Sequence, residues 1–131
     1  MSEVLDAYAL MVYLEKEPGH EKVGRYFISA VEKDEPLLMT TVNYGEVYYI
    51  ILRECGWPKA QEIESIIQTL PINLVNVDLD LARKAAHFKA LKNISYADCF
   101  AAALAKLRRA VLLTGDKEFK ALEKDIHIVW I

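Results

Sequence analysis

The chain has 131 residues, about half of them apolar, and a formal charge of −3. That is enough apolar material for the core of a single domain spanning 1–131, and it excludes the cationic coat of a general nucleic-acid binder, so any phosphate contact has to be local. No apolar run reaches the roughly 18 to 20 residues of a membrane span and no basic flank leads into a signal-peptide stretch, so the expected compartment is the cytoplasm, with no membrane partner.

In chain order, residues 3–5 are a short strand candidate, and beyond Asp6 the apolar residues Ala7, Leu10, Met11 and Leu14 fall at helical spacing until Pro18 and Gly19. A second helix carries Val23, Phe27 and Ala30 on one face and runs out in the charged stretch 32–35. Pro36 then introduces an apolar strand at 37–39. Thr40 or Thr41 can cap a third helix over 42–55, which Gly56 stops, and Pro58 sits where the first turn of a fourth helix over 59–70 tolerates proline. These two helices are expected to form a hairpin. After Pro71, residues 72–77 are rich in strand formers, and Asp78 can cap a helix with Leu81, Ala85 and Phe88 on one face.

Ser95 and Asp98 have the form of a capping box, and the alanine-rich stretch 97–107 predicts a closely packed helix near the domain centre. Residues 111–113 form an apolar strand, Gly115 and Asp116 turn into a short helix through Leu122, and 126–131 is a closing strand. Strands separated by helices of ten or more residues predict an α/β fold, with a central parallel sheet, right-handed crossovers and helices on both faces. Cys55 and Cys99 are the only cysteines, without a CxxC pair or a histidine at ligand spacing, and are expected to be reduced core thiols.

Ligands of an open parallel sheet bind beyond the carboxyl ends of its strands, which is where Asp6, Asp78 and Asp116 stand. Asp98, in the first turn of one helix, and Glu46, one turn into another, can point to the same end. Each has a structural alternative, because an aspartate after a strand is a favoured helix cap and Asp98 completes a capping box. Glu46 is the oddest, since Val47, Tyr48, Tyr49, Ile50, Ile51 and Leu52 leave its helix little polar surface, and a half-buried carboxylate needs a partner. Converging carboxylates about 5 Å apart repel by about 3 kcal/mol at an effective dielectric of about 20. A divalent cation relieves that repulsion, and an all-oxygen donor set suits Mg2+ or Mn2+ rather than zinc. Such an ion lowers the pKa of a water and neutralises charge at phosphorus, which points to phosphodiester hydrolysis.

Four stretches together resemble the PIN-domain family, and within it the small VapC-type toxins. They are Val4-Leu5-Asp6-Ala7-Tyr8-Ala9-Leu10 with Glu17-Pro18-Gly19, Thr41-Val42-Asn43-Tyr44-Gly45-Glu46, Ile94-Ser95-Tyr96-Ala97-Asp98 running into the alanines, and Leu112-Leu113-Thr114-Gly115-Asp116-Lys117-Glu118-Phe119. The resemblance implies a three-layer α/β/α fold and a metal-dependent endoribonuclease that forms a homodimer and is neutralised by a small antitoxin. It makes Asp6, Glu46, Asp98 and Asp116 the catalytic and metal-binding acids, with Thr114 in support, and leaves Asp78 as a cap. Two departures, Ala7 and Tyr8 after the first acid, bear on substrate contacts rather than on the metal.

Arg53 and Lys117 are the cations best placed to hold RNA phosphates, and Tyr44, Tyr48 and Tyr49 can stack bases, line a dimer surface or pack in the core. The alternative within the family is an inactive module that only docks RNA or protein. A phosphoacceptor receiver would require adjacent acids after its first strand, and a haloacid-dehalogenase-type phosphatase would require an acid where Tyr8 stands.

Overall fold

In a computed structural model, which describes residues 2–131, every strand pairing is parallel. The elements are β1 (Glu3–Leu5), α1 (Ala7–Leu14), α2 (His20–Lys33), β2 (Leu37–Thr40), α3 (Thr41–Cys55), α4 (Trp57–Gln68), β3 (Ile72–Val75), α5 (Leu79–Leu91), α6 (Tyr96–Arg108), β4 (Val111–Thr114), a 3-10 helix (Lys117–Leu122) and β5 (Ile128–Trp130). The strand order is β3-β2-β1-β4-β5. The chain leaves β1 toward β2 and later returns to its other side with β4, so the order reverses between β1 and β4. That switch point is where an open α/β sheet leaves a crevice.

Alternation along the strands divides the core between the two faces of the sheet. Val4, Leu38 and Leu112 face α5, α6 and the 3-10 helix, while Leu5, Leu37, Met39 and Leu113 face α1 to α4. This is the expected three-layer α/β/α arrangement. Helix α6 is the central one, with Asp98 to Leu104 and Ala105 all buried. Its alanines let α5 and the sheet approach closely, because a methyl side chain keeps the backbones near each other. On α3 the buried stripe is Asn43, Val47 and Ile51, at four-residue spacing.

The helix starts follow the sequence closely. Asp6, Thr40, Asp78, Ser95 and Asp116 all accept a backbone N–H with their side chains at the start of the following helix. The sequence-based expectation differs at three places. The third strand ends at Val75, with Val77 exposed beyond it, and the last one covers only Ile128–Trp130, with His127 contributing its carbonyl to the Leu112 amide at 2.8 Å just ahead of it. The short helix expected after β4 is there, as a 3-10 helix ending at Leu122. Cys99 is buried as expected, but Cys55 is exposed, because the buried stripe of α3 ends at Ile51 and Gly56 stops the helix one residue beyond Cys55.

Candidate metal centre at the sheet switch point

Asp6 immediately follows β1 and is 1% exposed. One of its oxygens accepts the Ala9 amide at 2.8 Å, and the other accepts the Thr114 hydroxyl at 2.5 Å across from the end of β4. The same Thr114 oxygen accepts the Asp116 amide at 3.0 Å. A single buried hydroxyl therefore joins the ends of the two central strands and aims both acidic residues. Each carboxylate oxygen keeps a second lone pair, so these bonds leave Asp6 able to take a cation.

Glu46 and Asp98 are brought in by a second joint. The Thr40 hydroxyl caps α3 by accepting the Asn43 amide at 3.0 Å and donates to the Asn43 side-chain oxygen at 2.5 Å. The Asn43 side-chain nitrogen then donates at 3.0 Å to the carbonyl of Ala97, the residue before Asp98. The first turn of α3 is thereby tied to the first turn of α6, and Glu46 lies one helical step from Asn43 on the side facing the crevice.

Glu46, Asp98 and Asp116 line one cavity of ≈ 260 Å³, together with Glu17. The rest of the lining is Ala7, Tyr8, Met11, Val12 and Ile50, and no lysine or arginine contributes to it. Asp98, Asp116 and Glu118 offer carboxylate oxygens that all lie within 4.8 Å of one another. Asp6 lies buried beside this triangle and Glu46 completes the acidic wall. Glu118 was not among the acids singled out from the sequence; it joins because Asp116 accepts the Glu118 amide at 3.0 Å, which folds the two carboxylates onto one side of the turn.

The electrostatics carry the mark of crowding. Burial pushes the Asp6 carboxyl up to about 7, against the bonds from Thr114 and Ala9, with repulsion from Asp116 and Glu46 adding to the rise. Asp98 is pushed up to about 8, again first by burial and then by Asp116 and Asp6. Glu46 is raised by burial, opposed in part by Asn43, and raised further by Asp116 and Glu118. One Glu46 oxygen, Oε1, is buried without a hydrogen-bond partner. Folding alone does not favour such a set, because buried charge without compensation is costly. All-oxygen donors at this density are a fit for a hard divalent cation.

Arg53 and Lys117 lie on the surface. Both are exposed and neither lines the cavity; the Arg53 guanidinium sits 5.2 Å over the Tyr49 ring, four residues back on the same helix. Tyr44 and Tyr48 stack with centroids 6.4 Å apart and pack against the core. The Tyr44 hydroxyl also bonds Glu64 of α4, and of the three tyrosines only Tyr49 is exposed.

Thr114→Val, nearly equal in shape, is expected to destabilise the chain by about 1–3 kcal/mol by leaving an Asp6 oxygen and the Asp116 amide without their partner. Thr114→Ser is expected to recover most of that in urea unfolding.

The PIN domain family model matches residues 4–125. Ribonuclease VapC30 of Mycobacterium tuberculosis is 32% identical over 124 residues, covering 89% of this chain and 92% of that protein. Ribonuclease VapC of Mycolicibacterium smegmatis is 30% identical over 124 residues, covering 89% of this chain and 93% of that protein. Among solved structures, VapBC2 from Rickettsia felis bound to a promoter DNA fragment aligns with a TM-score of 0.78 at 13% identity, covering 100% of this chain and 99% of that one. Mycobacterium tuberculosis VapC20, a toxin that cleaves the sarcin-ricin loop, aligns with a TM-score of 0.75 at 17% identity, covering 99% and 100%.

Proposed function

The chain belongs to the PIN domain family, and on that premise we propose that it is an endoribonuclease that hydrolyses RNA phosphodiester bonds with a water activated by Mg2+ or Mn2+. The observation that carries the reading is the acidic cavity at the switch point, with one buried Glu46 oxygen lacking any partner. RNA is an anion, and a cavity lined by carboxylates and no basic side chain repels it unless a cation stands between them.

Asp6, Glu46, Asp98 and Asp116 are the residues we assign to that cation, and Glu118 is close enough to Asp98 and Asp116 to join them. When bound, the ion supplies a lowered pKa for water and charge neutralisation at phosphorus. Thr114 fixes the direction of Asp6 and of the Asp116 backbone. Glu46, whose carboxyl is raised by burial and by Asp116 and Glu118, is the residue we assign to receive the proton of the attacking water through whichever of its oxygens the cation leaves free.

The names of the relatives, VapC ribonucleases, and the toxin-antitoxin complexes among the structural neighbours support an RNA substrate and a small antitoxin as partners. A homodimer belongs to the same reading. The exposed apolar residues Ile28 and Val31 on α2, and Leu52 and Trp57 at the α3 to α4 turn, offer surface for such partners. No helix among the described residues is long and apolar enough to cross a membrane; the cytoplasm is the compartment we propose.

Incubation of purified chain with RNA is the direct test. Cleavage is expected with Mg2+ or Mn2+, and none with EDTA or with Asp6→Asn. Cleavage that persists in EDTA would contradict the reading, and binding without cleavage under every condition would favour an inactive RNA-docking module.

A further inference from the structure

The apolar wall of the cavity is built around one aromatic side chain. Tyr8 follows Asp6 by two residues, sits in the first turn of α1 and is 46% exposed, while Ala7 and Val12 beside it are buried. Its ring lies against Gly115, the residue between Thr114 and Asp116. A Cβ at Gly115 would stand 2.5 Å from Tyr8 Cε1, closer than real Cβ contacts allow, and would also meet Tyr8 Cδ1 at 3.1 Å and Ile131 Cγ1 at 3.2 Å. The ring therefore occupies the place a side chain at residue 115 would fill. It is held at the end of β4, next to two of the acids, with much of its surface open to solvent.

We infer that Tyr8 is the platform on which the base flanking the scissile phosphate stacks, and that Gly115 is the residue that lets it lie there. The inference rests on the ribonuclease reading. A phosphate brought to the acids puts its neighbouring base within one nucleotide of the wall formed by Tyr8, Met11 and Ile50. Aromatic side chains bind single-stranded RNA by such stacking. The cavity, at ≈ 260 Å³, lies just below the roughly 300–1,000 Å³ that encloses a drug-sized ligand, so it suits one base rather than a folded RNA. Tyr8 thus selects an unpaired nucleotide at the cut, because a base held in a duplex cannot reach the ring.

The test is steady-state cleavage of a fluorogenic single-stranded RNA of randomised sequence by wild type and variants, with Mn2+ binding measured by calorimetry on each. Tyr8→Phe is expected to keep wild-type kinetics. Tyr8→Leu, which keeps apolar contact with Gly115 but has no flat face, is expected to lower kcat/KM roughly tenfold to a hundredfold, mainly through KM, with Mn2+ binding unchanged. Gly115→Ala is expected to displace the ring and lower kcat/KM in the wild-type background, and to have little further effect alongside Tyr8→Leu. If Tyr8→Leu matches Tyr8→Phe, or if it weakens binding of a protein partner while RNA kinetics stay unchanged, stacking at Tyr8 is wrong and the ribonuclease reading stands. If wild type neither binds nor cuts the RNA, both fail together.

Discussion

Asp98→Asn is expected to lower RNA cleavage by about two to three orders of magnitude while making the metal-free chain more stable. Both effects have one cause. Asp98 is 6% exposed, and burial together with Asp116 and Asp6 makes its charge unfavourable in the fold. Asparagine keeps the shape and leaves undisturbed the bond from the residue's own amide to the Ser95 hydroxyl. It removes the charge that a cation requires. In EDTA at pH 8.5, urea unfolding should show a gain on the order of 1–2 kcal/mol, the range of common stabilising substitutions. With saturating Mn2+ the order should reverse, because only wild type gains stability from binding. A variant that is less stable than wild type without metal would mean that Asp98 is a structural cap and not a functional acid.

The second large effect is a stability that falls with rising pH. Asp6 at about 7 and Asp98 at about 8 both lie above their ordinary value of 3.8. Between 3.8 and those values the folded, metal-free chain holds protons that the unfolded chain has released. Stability is therefore fully present below 3.8 and declines as pH rises through the folded values, by about 1.4 kcal/mol per pH unit for each group so affected. Glu46, also raised, acts in the same direction. Urea midpoints in EDTA are expected to be lower at pH 8 than at pH 6. Mg2+ or Mn2+ should flatten the dependence, since a cation favours the charged carboxylates and displaces their protons. A metal-free stability that rises over this interval would contradict the crowding of these acids.

Much of this arrangement is legible in the sequence because its signals are local. Asp6, Asp78 and Asp116 after strands, Thr40 and Ser95 before helices, and the stripe Leu81, Ala85, Phe88 each follow from a spacing of a few residues. Asp6, Asp98 and Asp116 could be picked out because each stands at such a boundary, and Glu46 because it is a charge among apolar neighbours one turn into α3; the fold brings all four to one end of the sheet. What escaped depends on contacts between distant segments or on the fine form of a turn. Asn43 reads as a polar helix residue until its side chain is seen to reach the Ala97 carbonyl. Glu118 joins the cluster through the backbone form of the turn at Asp116, which residue types alone do not determine. Arg53 stands at a promising distance from Glu46 along the helix, yet a nearer aromatic ring on its own helix takes its guanidinium.

The ring of Tyr8 over Gly115 belongs to the same class, because a glycine after a strand suggests a turn and gives no hint of what fills the space above it. The local pattern thus places the acids, while long-range packing shapes what can approach them.

The central claim is that these carboxylates share a divalent cation, and calorimetric titration of the metal-free chain with Mn2+ in buffers of different ionisation heat tests it most directly. Saturable binding with net proton release at pH 7, lost in Asp98→Asn and weakened in Glu118→Gln, is the predicted result. No saturable binding, or binding without proton release that is unchanged by Asp98→Asn, would contradict the account.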